Sequence, residues 1–130
     1  MEKALLAVGI GGALGAIARY LIFVSAVHLF GPGFPYGTLV VNILGSLIMG
    51  FLVETMALAW NVSMEIRLFL VVGFLGAFTT FSTFSLDFAV LYERGRLDLC
   101  ALYVTISVAF SIGALFLGLY FARWLPVGPT

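Results

Sequence analysis

The sequence predicts an all-α integral membrane protein with four transmembrane helices per chain. Three observations carry that prediction. Apolar residues make up 63% of the 130 residues and charged residues only 9%, whereas soluble domains run near ~45–50% and ~25%. Mean hydropathy is +1.21. The apolar residues also fall into four runs, each long enough to cross a bilayer and each closed by a turn or a charge cluster. A soluble core in so short a chain cannot hide this much apolar surface, so a soluble enzyme is excluded. Disorder requires low hydrophobicity and high charge. Six basic residues balance six acidic ones, which leaves no electrostatic footprint for nucleic acid.

A bilayer core of about 30 Å takes roughly 20 apolar helical residues. The first run, about residues 4–29, starts after Lys3 and ends at Gly31-Pro32-Gly33-Phe34-Pro35, a cluster that no helix tolerates. Lys3, the apolar run and Ala16-Ile17-Ala18 have the outline of a signal peptide with a small-residue cleavage site. The run continues through Tyr20-Leu21-Ile22-Phe23-Val24, so it is read as a retained helix. The second run covers about residues 38–59 and closes at Trp60-Asn61; the third, about 67–91, stops before Glu93-Arg94-Gly95-Arg96. The fourth, about 97–124, is expected to stop at Pro126. Tyr20, Tyr36, Trp60, Tyr92, Tyr120 and Trp124 fall near run ends, where interfacial aromatics belong. The four spans make a single domain, residues 1–130. His28 is expected in the turn after span one, and Cys100, the only cysteine, allows no intrachain disulfide.

Four spans put both termini and the central loop on one side, with Lys3, Arg67 and Arg123. The other side carries Arg94 and Arg96, with Arg19 if it reaches outward. The positive-inside rule therefore sets almost no preference. Either finer details fix one orientation, or the chain inserts in both and two copies pair antiparallel; the second is the expectation. A four-helix chain is also too slim to enclose a water-lined path alone.

Close packing is written into Gly11-x-x-x-Gly15, Gly12-x-x-x-Ala16, Gly45, Ser46-x-x-x-Gly50 and Gly73-x-x-Gly76. The polar residues inside the spans carry more information, since such groups are costly in lipid. Asn42 is early in span two; it either bonds a neighbouring helix or lines a pathway with its amide donors. Span three holds Thr79-Thr80-Phe81-Ser82-Thr83-Phe84-Ser85, five hydroxyls and two rings in seven residues. Hydroxyls that compete for helix carbonyls, just after Gly73 and Gly76, predict a third helix broken in mid-membrane. Released carbonyls there suit a hard cation, and are tolerated only inside protein or beside a cavity. The competing reading is a polar face that glues two helices. Phe81 and Phe84 share a face, and their electropositive edges adjoin the hydroxyls. On span four, Tyr103, Ser107 and Ser111 repeat at i, i+4, either as a hydrated track or as interhelical bonds. The carboxylates and arginines sit near span ends. A path lined by neutral donors holds an anion weakly enough for release, which conduction requires.

Three segments together resemble the Fluc (CrcB-type) fluoride channels of bacteria. They are residues 12–20, GALGAIARY; residues 37–45, GTLVVNILG; and residues 73–85, GFLGAFTTFSTFS. The likeness runs along the whole chain in order, and the third segment is the most specific. It implies an antiparallel dual-topology homodimer with two fluoride pores, in the bacterial inner membrane. It implies passive export of fluoride that entered as HF and dissociated in the near-neutral cytoplasm. Asn42 would then be a pore-facing donor, and Phe81 and Phe84 the rings whose edges contact fluoride. The backbone carbonyls of Gly76 and Thr79, from both subunits, would hold a structural sodium ion. Tyr103, Ser107 and Ser111 would line the polar track, with Thr83 and Asp87 as contributors and Arg19 in a vestibule. The chain departs from the pattern in two places. Asp87 stands where Glu is expected, and Ala77 where a second glycine is common. The competing function is a small dual-topology proton-coupled drug or cation antiporter. It would need a membrane-embedded carboxylate, and Glu54, late in span two, is the only candidate.

Overall fold

A computed structural model describes residues 1–125. Among them the regular structure is entirely helical: α1 (Glu2–Phe30), α2 (Tyr36–Leu58), α3 (Met64–Arg67), a π-helical segment (Leu68–Leu75), α4 (Gly76–Phe78), α5 (Phe81–Glu93) and α6 (Leu97–Arg123). Among the described residues four stretches are long and apolar enough to cross a membrane, namely α1, α2, Met64–Glu93 and α6. The shortest, α2 with 23 residues, measures about 34 Å at helical rise. Pro126 lies outside the described residues.

Local chemistry explains the ends. Gly31 closes α1 at φ 79°, in the left-handed region that favours glycine, and its N–H donates to the carbonyl of Val27 at 2.8 Å. His28 belongs to the last helical turn of α1 rather than to the following turn, because the helix runs on to Phe30. Ser63 caps α3, accepting from the N–H of Ile66, so the third stretch begins at Met64, before Arg67.

Two seams of glycine hold the bundle. At Gly11 and Gly15 on α1 a methyl group would collide with the carbonyls of Phe69 and Phe74, and at Gly73 with the carbonyl of Val8. Backbone therefore lies on backbone between α1 and the π-helical segment. The second seam joins α2 to α6, where Gly50 meets the carbonyl of Leu115 and Gly118 the carbonyl of Leu47. Small residues allow such approach, which substitutes for the hydrophobic drive that helices lack in lipid. The π-helical segment, with i→i+5 bonding, is longer than the usual single-turn bulge.

Two small clusters fill the interior. Val41, Leu75 and Phe78 form one; Leu91, Cys100 and Tyr103 form the other. Most other large apolar side chains point outward, as expected of helices that face lipid or a partner.

Candidate functional site

The third stretch leaves helical geometry at two residues. Thr79 has φ −85°, ψ 158° and Thr80 has φ −155°, ψ 118°, both extended. Side chains satisfy the groups that this change exposes. The amide of Asn42 clamps Thr80 from both sides: its Nδ2 donates to the Thr80 carbonyl at 3.0 Å, and its Oδ1 accepts from the Thr80 N–H at 2.8 Å. Only an Asn or Gln amide offers a donor and an acceptor in that geometry. The hydroxyl of Thr80 caps α5, accepting from the N–H of Thr83 at 3.1 Å. Thr79 donates back to the carbonyl of Leu75 at 2.9 Å. Gly45 makes room for this segment, since a methyl there would strike Thr79 and Phe78.

These bonds have a consequence for two carbonyls. In an uninterrupted helix the Thr80 N–H would serve Gly76 and the Thr83 N–H would serve Thr79. Here the first is diverted to Asn42 and the second to the Thr80 hydroxyl. The carbonyls of Gly76 and Thr79 lose their usual helical donors. Such oxygens are hard ligands of the kind that alkali and alkaline-earth cations accept.

Beside the interruption lies a recess of about 380 Å³, lined by Asn42, Ser46, Thr79, Thr80, Phe81, Phe84, Ser107, Val108, Ser111 and Ile112. It brings together Asn42, both phenylalanines and both serines singled out above. None of these lining residues is charged. The rings of Phe81 and Phe84 lie 5.5 Å apart at 42°. Phe81 is 78% exposed, so its ring stands on the open side of this single chain. The hydroxyl oxygens of Ser107 and Ser111 are buried and have no hydrogen-bond partner among the described residues. Buried polar atoms are rarely left so, and each such case calls for a partner.

The other candidates fall elsewhere. Thr83 and Asp87 line a second recess of about 280 Å³, under the Gly31–Pro35 turn. Tyr103 stands between the two recesses. It is fully buried, its ring lies 5.1 Å from that of Phe84, and its hydroxyl donates to Asp87 Oδ2 at 2.9 Å. Of the stripe Tyr103, Ser107, Ser111, the two serines line the first recess, while Tyr103 lines neither and turns its hydroxyl to the carboxylate. Arg19, half-buried on α1, lines neither recess. Glu54 pairs with Arg123 at 3.1 Å, away from both recesses, leaving the antiporter reading without a carboxylate in the polar recess.

Sequence reasoning left Thr38 out of the site and read Ser46 only as a packing position. Thr38, buried on α2, lines the second recess, and Ser46 lines the first. The signal was available: Thr38, Asn42 and Ser46 repeat at i, i+4, the spacing of Tyr103, Ser107 and Ser111. Because α2 and α6 run parallel, the two stripes climb in step.

Comparison with known proteins identifies the family. Residues 6–119 match the family model described as CrcB-like protein, Camphor Resistance (CrcB). The chain belongs to this family. It is 54% identical over 116 residues to the fluoride-specific ion channel FluC of Agrobacterium fabrum, covering 89% of this chain and 93% of that one. Against the protein of the same name from Chelativorans sp. it is 55% identical over 119 residues, 92% of this chain and 95% of the relative. The corresponding figures for Cereibacter sphaeroides are 50% over 126 residues, 96% and 99%. As a CrcB-family chain with four apolar stretches of spanning length, it is a multi-pass membrane protein.

Proposed function

We propose that this protein is a fluoride-selective ion channel that lets cytoplasmic fluoride leave the cell passively and so reduces fluoride toxicity. The relatives' name supplies the ion. The observation that carries the reading to this chain is the uncharged recess holding Asn42, Phe81, Phe84, Ser107 and Ser111 beside the interrupted helix. Fluoride is small and strongly hydrated, so a path must replace its water with donors. Serine hydroxyls, the remaining N–H of Asn42 and electropositive ring edges can do so without a lysine or arginine that would hold the ion too firmly. Beyond Phe84, Tyr103 and Thr83 continue the polar path to the second recess, with Arg19 in a vestibule.

The working unit in this reading is an antiparallel dual-topology homodimer with two pores in the bacterial inner membrane, surrounded by lipid. A second copy would close the open side of the recess, where Phe81 is exposed. The helix interruption would lie at mid-membrane depth, at the interface. There the carbonyls of Gly76 and Thr79 from both subunits would hold a structural sodium ion; their diverted donors make the set chemically suited to it. When bound, the ion would supply positive charge that ties the two interruptions together.

Efflux from liposomes tests the function. Purified protein is reconstituted, and release down a gradient is followed with a fluoride-selective electrode, then repeated for chloride. Fast fluoride release without chloride release is expected. No release from a folded, reconstituted dimer would overturn the proposal.

A further inference from the structure

Ser46 lies one turn beyond Asn42 on α2 and lines the same recess as Ser107 and Ser111. Four hydroxyls elsewhere in the spans are satisfied by their own helix. Thr55 donates to the carbonyl of Phe51, Thr79 to Leu75, Ser85 to Phe81 and Thr105 to Ala101. Each back-bond uses the single O–H donor of its side chain. The serines of the recess behave differently. Among the described residues Ser107 and Ser111 are buried without a partner, and half-buried Ser46 donates to no carbonyl. Three hydroxyls, from two facing helices, thus keep their donors uncommitted around one uncharged space. A protein interior tolerates that arrangement when something entering the space accepts the donors.

We propose that Ser46 is a third hydroxyl donor to the permeating ion, facing Ser107 and Ser111 from the α2 wall. This rests on the channel reading above. Asn42 has one N–H committed to the Thr80 carbonyl and its oxygen committed to the Thr80 N–H. Without Ser46, the α2 wall would offer the ion a single N–H at this level. With it, a partly dehydrated fluoride is met by hydroxyls on both sides, and the ion is handed along donors of similar strength.

The test uses an isosteric pair. Ser46→Thr keeps the hydroxyl, whereas Ser46→Val has the same shape without it; Ser46→Ala removes the hydroxyl with no added bulk. Each full-length variant is checked for its oligomeric state, reconstituted, and assayed for fluoride efflux over a range of fluoride concentrations. Ser46→Thr should retain the unsubstituted rate. Ser46→Val and Ser46→Ala should lose about tenfold at low fluoride, the size of one hydrogen bond to an ion. Equal rates for Thr and Val, or an unchanged rate for Ala, would overturn the role of Ser46 while leaving the channel intact. If the unsubstituted protein itself releases no fluoride, the channel reading fails, and this inference with it.

Discussion

The contact between α2 and α6 changes character along its length. Toward their C-terminal ends the helices close on each other at Gly50 and Gly118, and Glu54 pairs with Arg123. Toward their N-terminal ends the same two helices carry Thr38, Asn42 and Ser46 opposite Tyr103, Ser107 and Ser111, and a recess opens at the latter part of that stripe. What differs is the residue at each successive turn. Glycine lets backbone meet backbone and leaves no space; Asn42, Ser46, Ser107 and Ser111 instead line a recess beside the interrupted stretch. The tight half acts as a clamp that fixes the register of the polar half. A pore built from short side chains needs that rigidity, because a one-residue slip would rotate the hydroxyls out of the recess.

Substitutions can separate the two halves. The largest effect is expected in the clamp. Gly118→Leu would drive a side chain into the Leu47 carbonyl and the Phe51 N–H, at a cost above the usual ~1–3 kcal/mol of overpacking because backbone cannot yield. Size-exclusion chromatography after extraction should show loss of the folded species; a normal profile would mean the seam is looser than it looks.

Next comes Asn42→Asp. It removes the donor to the Thr80 carbonyl and sets a negative charge beside the recess. At an effective dielectric near 20 a charge about 4 Å from the ion costs roughly 4 kcal/mol, so fluoride efflux should fall a hundredfold or more. Unchanged efflux would remove Asn42 from the path.

Phe81→Ile tests the ring alone. Most of its surface is exposed in the single chain, so folding should survive. Loss of an aromatic edge, worth about 1 kcal/mol, should slow efflux some three- to tenfold. A normal rate would reduce this ring to an interface or lipid contact.

Glu54→Gln should do least. Its partner Arg123 is 59% exposed and Glu54 18%, so water screens the arginine end and the pair should contribute about 1 kcal/mol. Detergent melting should shift little and efflux should not change. A large loss of efflux would bring the carboxylate back into the transport chemistry and revive the antiporter reading.

Much of this was legible in the chain itself. Composition and four apolar runs announce the spans, because lipid tolerates little else. Gly31 and the prolines after it end the first span for reasons internal to a few residues. The hydroxyl cluster at residues 79–85 marks an anomaly, since such groups compete locally with helix bonding. Gly11, Gly15 and Gly50 are recognisable as packing positions from spacing alone. Other features join residues far apart in sequence, and these were out of reach. The π-helical turn after Leu68 gives no local signal. Nor does the choice of Thr80 as the partner of Asn42, which depends on α2 passing beside the interruption.

The sequence by itself determined that this protein spans a membrane, where its helices begin and end to within a few residues, and which polar residues stand inside. Lipid and backbone chemistry act locally, so those features can be read locally. Only the tertiary structure decided what the polar residues do. It turned the Asn42 amide onto the Thr80 peptide, diverted the donors of Gly76 and Thr79, and gave the Tyr103 hydroxyl to Asp87. It also left the serines of α6 without a partner among the described residues. A hydrogen bond is assigned by whichever group arrives within reach at the right angle, and that depends on how the helices pack.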